Sequence, residues 1–269
     1  MAQSDTVFAG SIPALYGRYL GPLIFEPYAP ELVMRVACES AERILETAAG
    51  TGILTRALAA SLPGAVEIVA TDLNQPMLNF AAATPGVERV RWQRADATAL
   101  PFPDRSFSAV ACQFGAMFFP DKVTGYREAL RVLKPGGRFV FSVWDRIEEN
   151  EFADVVTEAV AAIFPGDPPY FLARTPHGYH DVERIGAELA AAGFSRIDIE
   201  TVAHRSRALS PRDPAIGFCQ GTPLRNEIEA RDPSRLGEAT DAAAAALAAR
   251  FGPGPIDGRI QALVITASP

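Results

Sequence analysis

The sequence is poor in the residues that build disulfide frameworks, metal sites and basic surfaces. Its 269 residues include three cysteines and three histidines, and only two of its 25 basic residues, Lys122 and Lys134, are lysines. Cys38, Cys112 and Cys219 are widely spaced and odd in number, which predicts neither a disulfide framework nor a metal motif. The apolar surroundings of Cys38 and Cys112 predict buried thiols.

The chain also lacks long apolar runs and clusters of basic charge. No run approaches the ~20 residues that cross a bilayer, and the N-terminus has neither the basic start nor the apolar core of a signal peptide. The net charge of −7 argues against nonspecific binding to nucleic acid or an anionic membrane. We therefore expect a cytoplasmic protein with no nucleic-acid or membrane partner. The oligomeric state is open, a homodimer being one alternative.

The histidines show no recognisable set of metal ligands. His177 and His180 lie in one Pro/Gly-rich loop and could share a metal, but histidines in such loops are more often surface residues. We predict no metal site.

Residues 44–60 predict a strand, a tight turn and a helix. An apolar run, Ile44-Leu45, gives way to the small residues Ala48-Ala49-Gly50-Thr51-Gly52, and apolar residues then return at helical spacing. Glycines allow backbone conformations that side chains forbid and let a ligand lie against the main chain. The N–H groups at the start of the helix favour an anionic or polar ligand group.

A turn of this kind can bind a nucleotide cofactor, and a dinucleotide such as NAD is the first to consider. A dinucleotide fold requires G-x-G-x-x-G, and the third glycine is missing here whether Gly50 is taken as the first or the second. This counts against an NAD-dependent oxidoreductase without excluding it. An ordinary strand-to-helix turn is the simplest alternative.

An acidic residue ends the next predicted strand, residues 66–72. Asp72 lies 20 residues beyond Gly52, where a second parallel strand ends beside the first in a βαβ unit. A carboxylate there can accept hydrogen bonds from both hydroxyls of a ribose. A cap or turn role is the alternative for Asp72.

Two further strands, residues 90–94 and 108–114, are each followed by polar or aromatic residues. In an open α/β sheet, ligands bind at the carboxyl ends of the strands. Gln113 and Phe114 are therefore expected to face a cofactor, and Met117, Phe118 or Phe119 a substrate. Helix packing is the alternative for the phenylalanines.

The ordered series of motifs resembles the class I S-adenosylmethionine (SAM) methyltransferases, nearest to the ubiquinone/menaquinone-biosynthesis type (methyltransferase domain 11). The first family pattern is an acidic residue followed by x-G-x-G-x-G; Glu46 matches the acid, and Ala48 replaces the first glycine. Similar series follow at residues 72–78 (D-L-N-Q-P-M-L), 95–107 (A-D-A to S-F) and 133–139 (L-K-P-G-G-R-F). The resemblance covers about 40% of the chain, residues 43–144.

The resemblance implies SAM as cofactor, S-adenosylhomocysteine (SAH) as product, and a set of binding residues. Met77 would pack near the adenine, Asp96 would accept a hydrogen bond from the adenine amino group, and the following backbone N–H would donate to the ring. The aromatic N-terminal segment would close the pocket as a lid. The implied cofactor-binding residues are Tyr19, Glu46, Ala48, Gly50, Gly52, Asp72, Leu73, Met77, Asp96, Ala97, Gln113 and Phe114.

The fold class predicted is α/β, a doubly wound seven-stranded and mostly parallel sheet (Rossmann-like) whose last strand is antiparallel. Residues 1–42 form an N-terminal lid or helical segment, or else an arm along the domain's edge. Glycines and prolines within residues 15–28 predict no long helix there. Residues 43–269 form the SAM-binding domain, with cap-like insertions at about 145–181 and 203–256.

The function predicted is methyl transfer to a small acceptor, aromatic or apolar, by SN2 displacement. A sulfonium already activates the methyl group, so the protein mainly aligns the partners in a dry pocket. No catalytic residue is assigned; His177, His180 and Asp145 are weak candidates for a base. The alternative is a non-catalytic SAM- or SAH-binding sensor or partner subunit.

Overall fold

The computed structural model describes Phe8 and residues 10–37 and 41–269. The chain divides into two compact units, which we treat separately. The "motif unit" comprises Tyr28–Val143, His180–Val202 and Ala262–Pro269. The "insertion unit" comprises Trp144–Tyr179, Ala203–Gln261 and the described part of Met1–Pro27. The boundary after residue 42 differs from this division and stays a prediction. Cys38 lies outside the described residues.

A seven-stranded sheet has the strand order β3-β2-β1-β4-β5-β7-β6. Its strands are β1 (Arg43–Glu46), β2 (Glu67–Asp72), β3 (Val90–Arg94), β4 (Phe107–Gln113), β5 (Leu133–Trp144), β6 (Arg196–Ala208) and β7 (Ile256–Ser268). Strands β1 to β5 pair in parallel, whereas β7 is antiparallel to β5. The predicted fold class is confirmed.

The helices are α1 (Ile12–Leu15), α2 (Ala29–Val36), α3 (Ile53–Ser61), α4 (Gln75–Ala82), α5 (Lys122–Val132), α6 (Glu151–Ile163), α7 (Phe171–Arg174), α8 (Val182–Ala192), α9 (Arg212–Gly221), α10 (Leu224–Arg231) and α11 (Leu236–Phe251). Two of them begin at a capping aspartate: Asp121 accepts from the Thr124 N–H and Asp181 from the Arg184 N–H. No helix in the described ranges combines the length and apolarity that a membrane crossing needs.

The central strands of the motif unit are buried on both faces. Ile44, Leu45 and the β4 residues from Phe107 to Cys112 are all buried. Burial on both faces explains why these strands appear in the sequence as continuous apolar runs rather than alternating ones. Burial raises the pKa of the Cys112 thiol to about 12, as expected of an unreactive core cysteine.

The prediction of no long helix near the N-terminus is wrong. Residues 16–25 form a π-helix between α1 and a short 3-10 helix at Glu26–Tyr28, and Pro22 lies inside it. The Glu26 N–H donates to the Gly21 carbonyl, five residues back. These wider turns accommodate a proline, which has no N–H to donate. Within the insertion unit the segment packs against α9, where Gly217 and Gly221 leave room for it.

Two details of the secondary structure were not predicted from the sequence. Strand β5 begins at Leu133, directly after α5 ends at Val132. Phe107 pairs with Leu133 and Ala109 with Arg138, so residues 134–137 form a bulge in which Gly136 has φ 77°. The segment 165–180, expected to be loop, contains the single turn α7.

Candidate functional site

The two glycines of the first turn have different surroundings. Gly50 (φ 56°) and Gly52 (φ 77°) both adopt the left-handed conformation. A Cβ on Gly52 would lie 3.0 Å from the Ala81 Cβ and 3.3 Å from the Trp92 ring, so Gly52 allows close packing. A Cβ on Gly50 would meet no atom within 4 Å. Gly50 therefore keeps a stretch of backbone open to a ligand.

Asp72, at the end of β2, connects that turn to the next loop. Its Oδ2 accepts from the Gly50 N–H at 2.8 Å, and its Oδ1 accepts from the Asn74 N–H at 2.7 Å. The residue is only 7% exposed. Burial raises the pKa of Asp72, and the hydrogen bonds from Asn74 and Gly50 oppose that rise. The Asn74 Nδ2 makes a longer bond to the same Oδ1, at 3.4 Å. A carboxylate has about four lone-pair positions, so these bonds leave acceptor capacity for a hydroxyl group, and for a second one where the Asn74 amide turns away.

Glu46, at the end of β1, lies beneath the turn. Its side chain is buried, and Oε2 accepts from the Thr55 hydroxyl of α3 at 2.6 Å. Burial raises the pKa of Glu46 to about 8. The observed contact fastens the start of α3 to β1. Direct contact of Glu46 with a cofactor stays a prediction.

Thr51, between the two glycines, has a buried hydroxyl. Among the described residues its Oγ1 has no hydrogen-bond partner, and the residue is 2% exposed. An unsatisfied buried polar group costs about 1–3 kcal/mol. A polar cofactor laid against this turn is the kind of group that would remove that cost. With the open Gly50 and the acceptor capacity of Asp72, the turn fits the ribose and polar tail of SAM.

Ala48 and Phe114 are strained at two neighbouring strand ends. Both have positive φ, 52° and 53°, a conformation that costs a non-glycine residue roughly 1–3 kcal/mol. The Phe114 N–H donates to the Ser142 carbonyl at 3.0 Å, and its ring packs edge-on against Tyr28. Phe114 is 5% exposed, whereas Gln113 before it is half-buried. Their cofactor contacts stay predictions.

Leu73 and Met77 differ in exposure. Leu73, directly after Asp72, is 45% exposed, which is unusual for a large apolar side chain. Arg94, at the end of β3, donates from Nε to the Leu73 carbonyl at 3.0 Å and so holds this loop. Met77 is buried in α4 at 3% exposure. Leu73 offers an apolar surface beside Asp72, while Met77 packs as core.

Asp96 lies near the end of β2, because the Ala95 N–H donates to the Asp72 carbonyl at 3.1 Å. Its Oδ1 accepts from the Thr98 N–H and hydroxyl, at 2.8 and 2.7 Å. In these two bonds the Asp96 side chain stabilises a turn. The exposed carboxylate has further lone pairs, so the adenine contact proposed for Asp96, and that of the half-buried Ala97, stay predictions.

Lys122, at the start of α5, is a residue that sequence reasoning missed. Its Nζ donates to the carbonyls of Met117 and Phe119, at 2.9 and 2.7 Å. Burial lowers the pKa of Lys122 to about 8. The residue fastens the loop after β4. The only feature of the sequence that could have drawn attention to Lys122 is that the chain has just two lysines. Thr55 and Arg94 gave no signal, because their partners are distant in sequence.

Tyr19 belongs to the insertion unit, where the Arg18 guanidinium lies 5.1 Å from its ring. Of the weak base candidates, His177 and Asp145 lie together in that unit: His177 Nδ1 is 2.9 Å from the Asp145 carbonyl. A carbonyl only accepts, so Nδ1 carries the hydrogen. His180 belongs to the motif unit. No group of three or more metal-ligand side chains occurs among the described residues.

Comparison with known proteins gives consistent results. A family profile described as "Methyltransferase domain" matches residues 44–137. A demethylmenaquinone methyltransferase of Clavibacter sepedonicus is 38% identical over 61% of this chain and 69% of its own length. One of Thermus thermophilus is 38% identical over 57% of this chain and 74% of its own.

A solved structure shows the same fold at low identity. Phosphoethanolamine N-methyltransferase 2 of Haemonchus contortus, in complex with SAM, gives a TM-score of 0.58 at 17% identity and covers 96% of this chain and 56% of its own. These relatives are named as methyltransferases, and none of the comparisons supports a non-catalytic binding protein. The chain belongs to the class I SAM-dependent methyltransferases, near the ubiquinone/menaquinone-biosynthesis type.

Proposed function

We propose that SAM binds in the motif unit, on the Gly50–Gly52 turn and against Asp72. The observation that carries this proposal is the Asp72 carboxylate, fixed by two backbone N–H groups beside the open Gly50. This fixed carboxylate accepts the ribose hydroxyls, the second of them in place of the long bond from the Asn74 amide. Gly50 lets the cofactor approach the main chain, and Glu46 positions the turn from below.

The remaining residues are assigned by their exposure and chemistry. Leu73 offers an apolar face to the adenine, and Met77 supports that face from the core. Asp96 and the N–H of Ala97 recognise the edge of the ring. Gln113 and Phe114 border the cofactor at the end of β4, with Ala48 opposite on the turn. Tyr19 contributes from the N-terminal segment.

When bound, SAM supplies a methyl group that its sulfonium charge activates for SN2 transfer. The chain's own residues bind the partners, orient them and exclude water, which is sufficient for such a reaction. No residue is assigned as a general base. His177 has an orientation fixed by the Asp145 carbonyl, but nothing identifies the proton that it would take.

We infer a small aromatic or apolar acceptor. This choice is supported by the names of relatives, which are demethylmenaquinone methyltransferases and therefore act on a quinone. A nucleic acid is disfavoured by the net charge of −7. Light scattering would test the homodimer, which stays a prediction, as does the cytoplasmic location.

Calorimetric titration with SAH tests the site. Asp72→Ala should weaken SAH binding about 100-fold or more, because two hydrogen bonds to a charged group are worth roughly 3 kcal/mol or more. Asp72→Asn, which keeps one acceptor oxygen, should lose less. Asp181→Ala is the matched control, since it removes an exposed capping aspartate from the same unit.

The control should lose stability but keep the affinity of the wild type for SAH. Circular dichroism would verify that the Asp72 variants are folded. A folded Asp72→Ala protein that binds SAH as tightly as the wild type would contradict the assignment of this site.

A further inference from the structure

Gly115 lies in the loop after β4, and its backbone conformation does not require glycine. Its φ of −106° and ψ of −32° are accessible to any residue. The reason for a glycine here is space, because a Cβ at this position would lie 2.4 Å from the Ala48 Cβ and 2.8 Å from the Cys112 Sγ. Real Cβ atoms essentially never come within 3.0 Å of a heavy atom to which they are not linked through the neighbouring chain.

The Ala48 methyl cannot move aside. The residues on both sides of Ala48 are held by backbone hydrogen bonds to neighbouring strands, from Thr47 N to the Ala111 carbonyl and from Ala49 N to the Thr71 carbonyl, each 2.9 Å. Ala48 is itself strained at φ 52°. Any displacement of its methyl therefore moves the turn that carries Gly50.

We propose that Gly115 is a positioning residue for the cofactor turn, and that Ala48 and Gly115 form a complementary pair. The methyl group at 48 fills the space left by the missing side chain at 115. The first turn and the loop that carries Gln113 and Phe114 are thereby held in one fixed arrangement. This inference rests on the proposed function, in which both segments border SAM.

Cys112 is the second neighbour of the missing side chain. Its thiol is fully buried beneath the loop, and burial raises its pKa to about 12. A collision with Cys112 would disturb the core beneath the loop, whereas a collision with Ala48 would displace the cofactor turn. Substituting each neighbour in turn separates the two effects.

The experiment measures SAH affinity and melting temperature for four variants: Gly115→Ala, Ala48→Gly/Gly115→Ala, Cys112→Ala/Gly115→Ala and Ala48→Gly. Gly115→Ala should bind SAH at least tenfold more weakly than the wild type. Ala48→Gly in that background should restore the affinity to within about threefold. Cys112→Ala should recover part of the melting temperature but not the affinity. Gly186→Ala is the matched control, because a Cβ there meets no atom within 4 Å.

Rescue of SAH affinity by Ala48→Gly is a result that a purely structural role for Gly115 would not produce. If Gly115→Ala does not fold, Ala48→Gly must restore folding as well as binding. The proposal is overturned if Gly115→Ala binds like the wild type, or if Ala48→Gly rescues nothing. Failure of the wild type to bind SAH would instead reject the proposed function, and the melting temperatures would still test the pair.

Discussion

Backbone strain at non-glycine residues and buried carboxyl groups are found in the motif unit and not in the described part of the insertion unit. The non-glycine residues with positive φ in the described chain, Ala48, Arg105 and Phe114, all belong to the motif unit. So do the buried carboxyl groups of Glu46 and Asp72. The described part of the insertion unit is instead held by close helix packing and by stacked rings, such as Tyr16 and Phe25 at 4.8 Å.

This difference coincides with the part of the chain that matches the methyltransferase family. The match to the family profile, residues 44–137, lies wholly within the motif unit. Strained backbone and buried charge persist where the surroundings enforce them, and they cluster at functional sites. Of these residues, Ala48, Glu46, Asp72 and Phe114 lie at strand ends that border the proposed site. The described part of the insertion unit contains no non-glycine residue with positive φ and follows ordinary packing rules.

Replacing the buried, ionisable carboxyl group of Glu46 by an amide should have the largest effect on stability. Its pKa is raised to about 8 by burial, so the folded protein holds a proton that the unfolded chain releases near its ordinary value of 4.5. The stabilising contribution of that proton is complete below pH 4.5 and is lost as the pH rises towards 8. Glu46→Gln should therefore be more stable than the wild type by a few kcal/mol, to order of magnitude, above pH 8.

Melting curves at pH 5 and pH 9 would measure this effect, with the advantage of Glu46→Gln growing between them. Glu88→Gln is the control: Glu88 is an exposed glutamate of the same unit, and its pKa is lowered by the Gly86 N–H. It should show no gain as the pH rises. An equal advantage for Glu46→Gln at both pH values would mean that Glu46 is already ionised in the folded protein.

In the insertion unit the limiting factor should be space rather than charge. A Cβ on Gly217 of α9 would lie 2.8 Å from the Leu20 Cδ2 and 3.2 Å from the Tyr19 Cβ. Gly217→Val should therefore lower the free energy of unfolding by about 1–3 kcal/mol. Thermal melts would measure this loss. The proposed cofactor role of Tyr19 further requires that this substitution weaken SAH binding several-fold, as measured by calorimetry.

Gly237→Val is the matched control, since Gly237 is an exposed helical glycine whose Cβ would meet no atom within 4 Å. It should leave both measurements nearly unchanged. A loss of stability in Gly217→Val without a loss of SAH affinity would reject the cofactor role of Tyr19. The comparison between the two units would then be sharper, with cofactor binding confined to the motif unit.

Sequence reasoning succeeded where the signal was local. The parallel strands and Asp72 were predicted because buried strands appear as apolar runs and because a βαβ unit fixes where its second strand ends. It failed for the helical N-terminal segment, because residues 15–20 pack against Gly217 and Gly221, almost 200 residues later.

The fine structure of the site could not be predicted for the same reason. The contact of Glu46 with Thr55 and that of Ala48 with Gly115 depend on distances between elements that the sequence order does not give. Motif patterns identified the positions of Glu46 and Ala48 but gave no indication that one is fully buried and the other strained. Such features become visible only when the strand ends are assembled.

Substitution of Thr51 should have the smallest effect on stability. It directly tests whether an unfavourable buried group in the motif unit contributes to cofactor binding. Thr51→Val replaces a buried hydroxyl that has no hydrogen-bond partner in the described chain with a methyl group of the same shape. The ligand-free protein should gain about 1 kcal/mol in stability, while SAH affinity falls several-fold because the bound polar group loses its partner. Thr51→Ser, which keeps the hydroxyl, should retain the affinity. If Thr51→Val gains stability and binds SAH like the wild type, the buried hydroxyl of Thr51 destabilises the protein without contributing to cofactor binding. Unfavourable local structure in this turn would then not be evidence for the location of the SAM site.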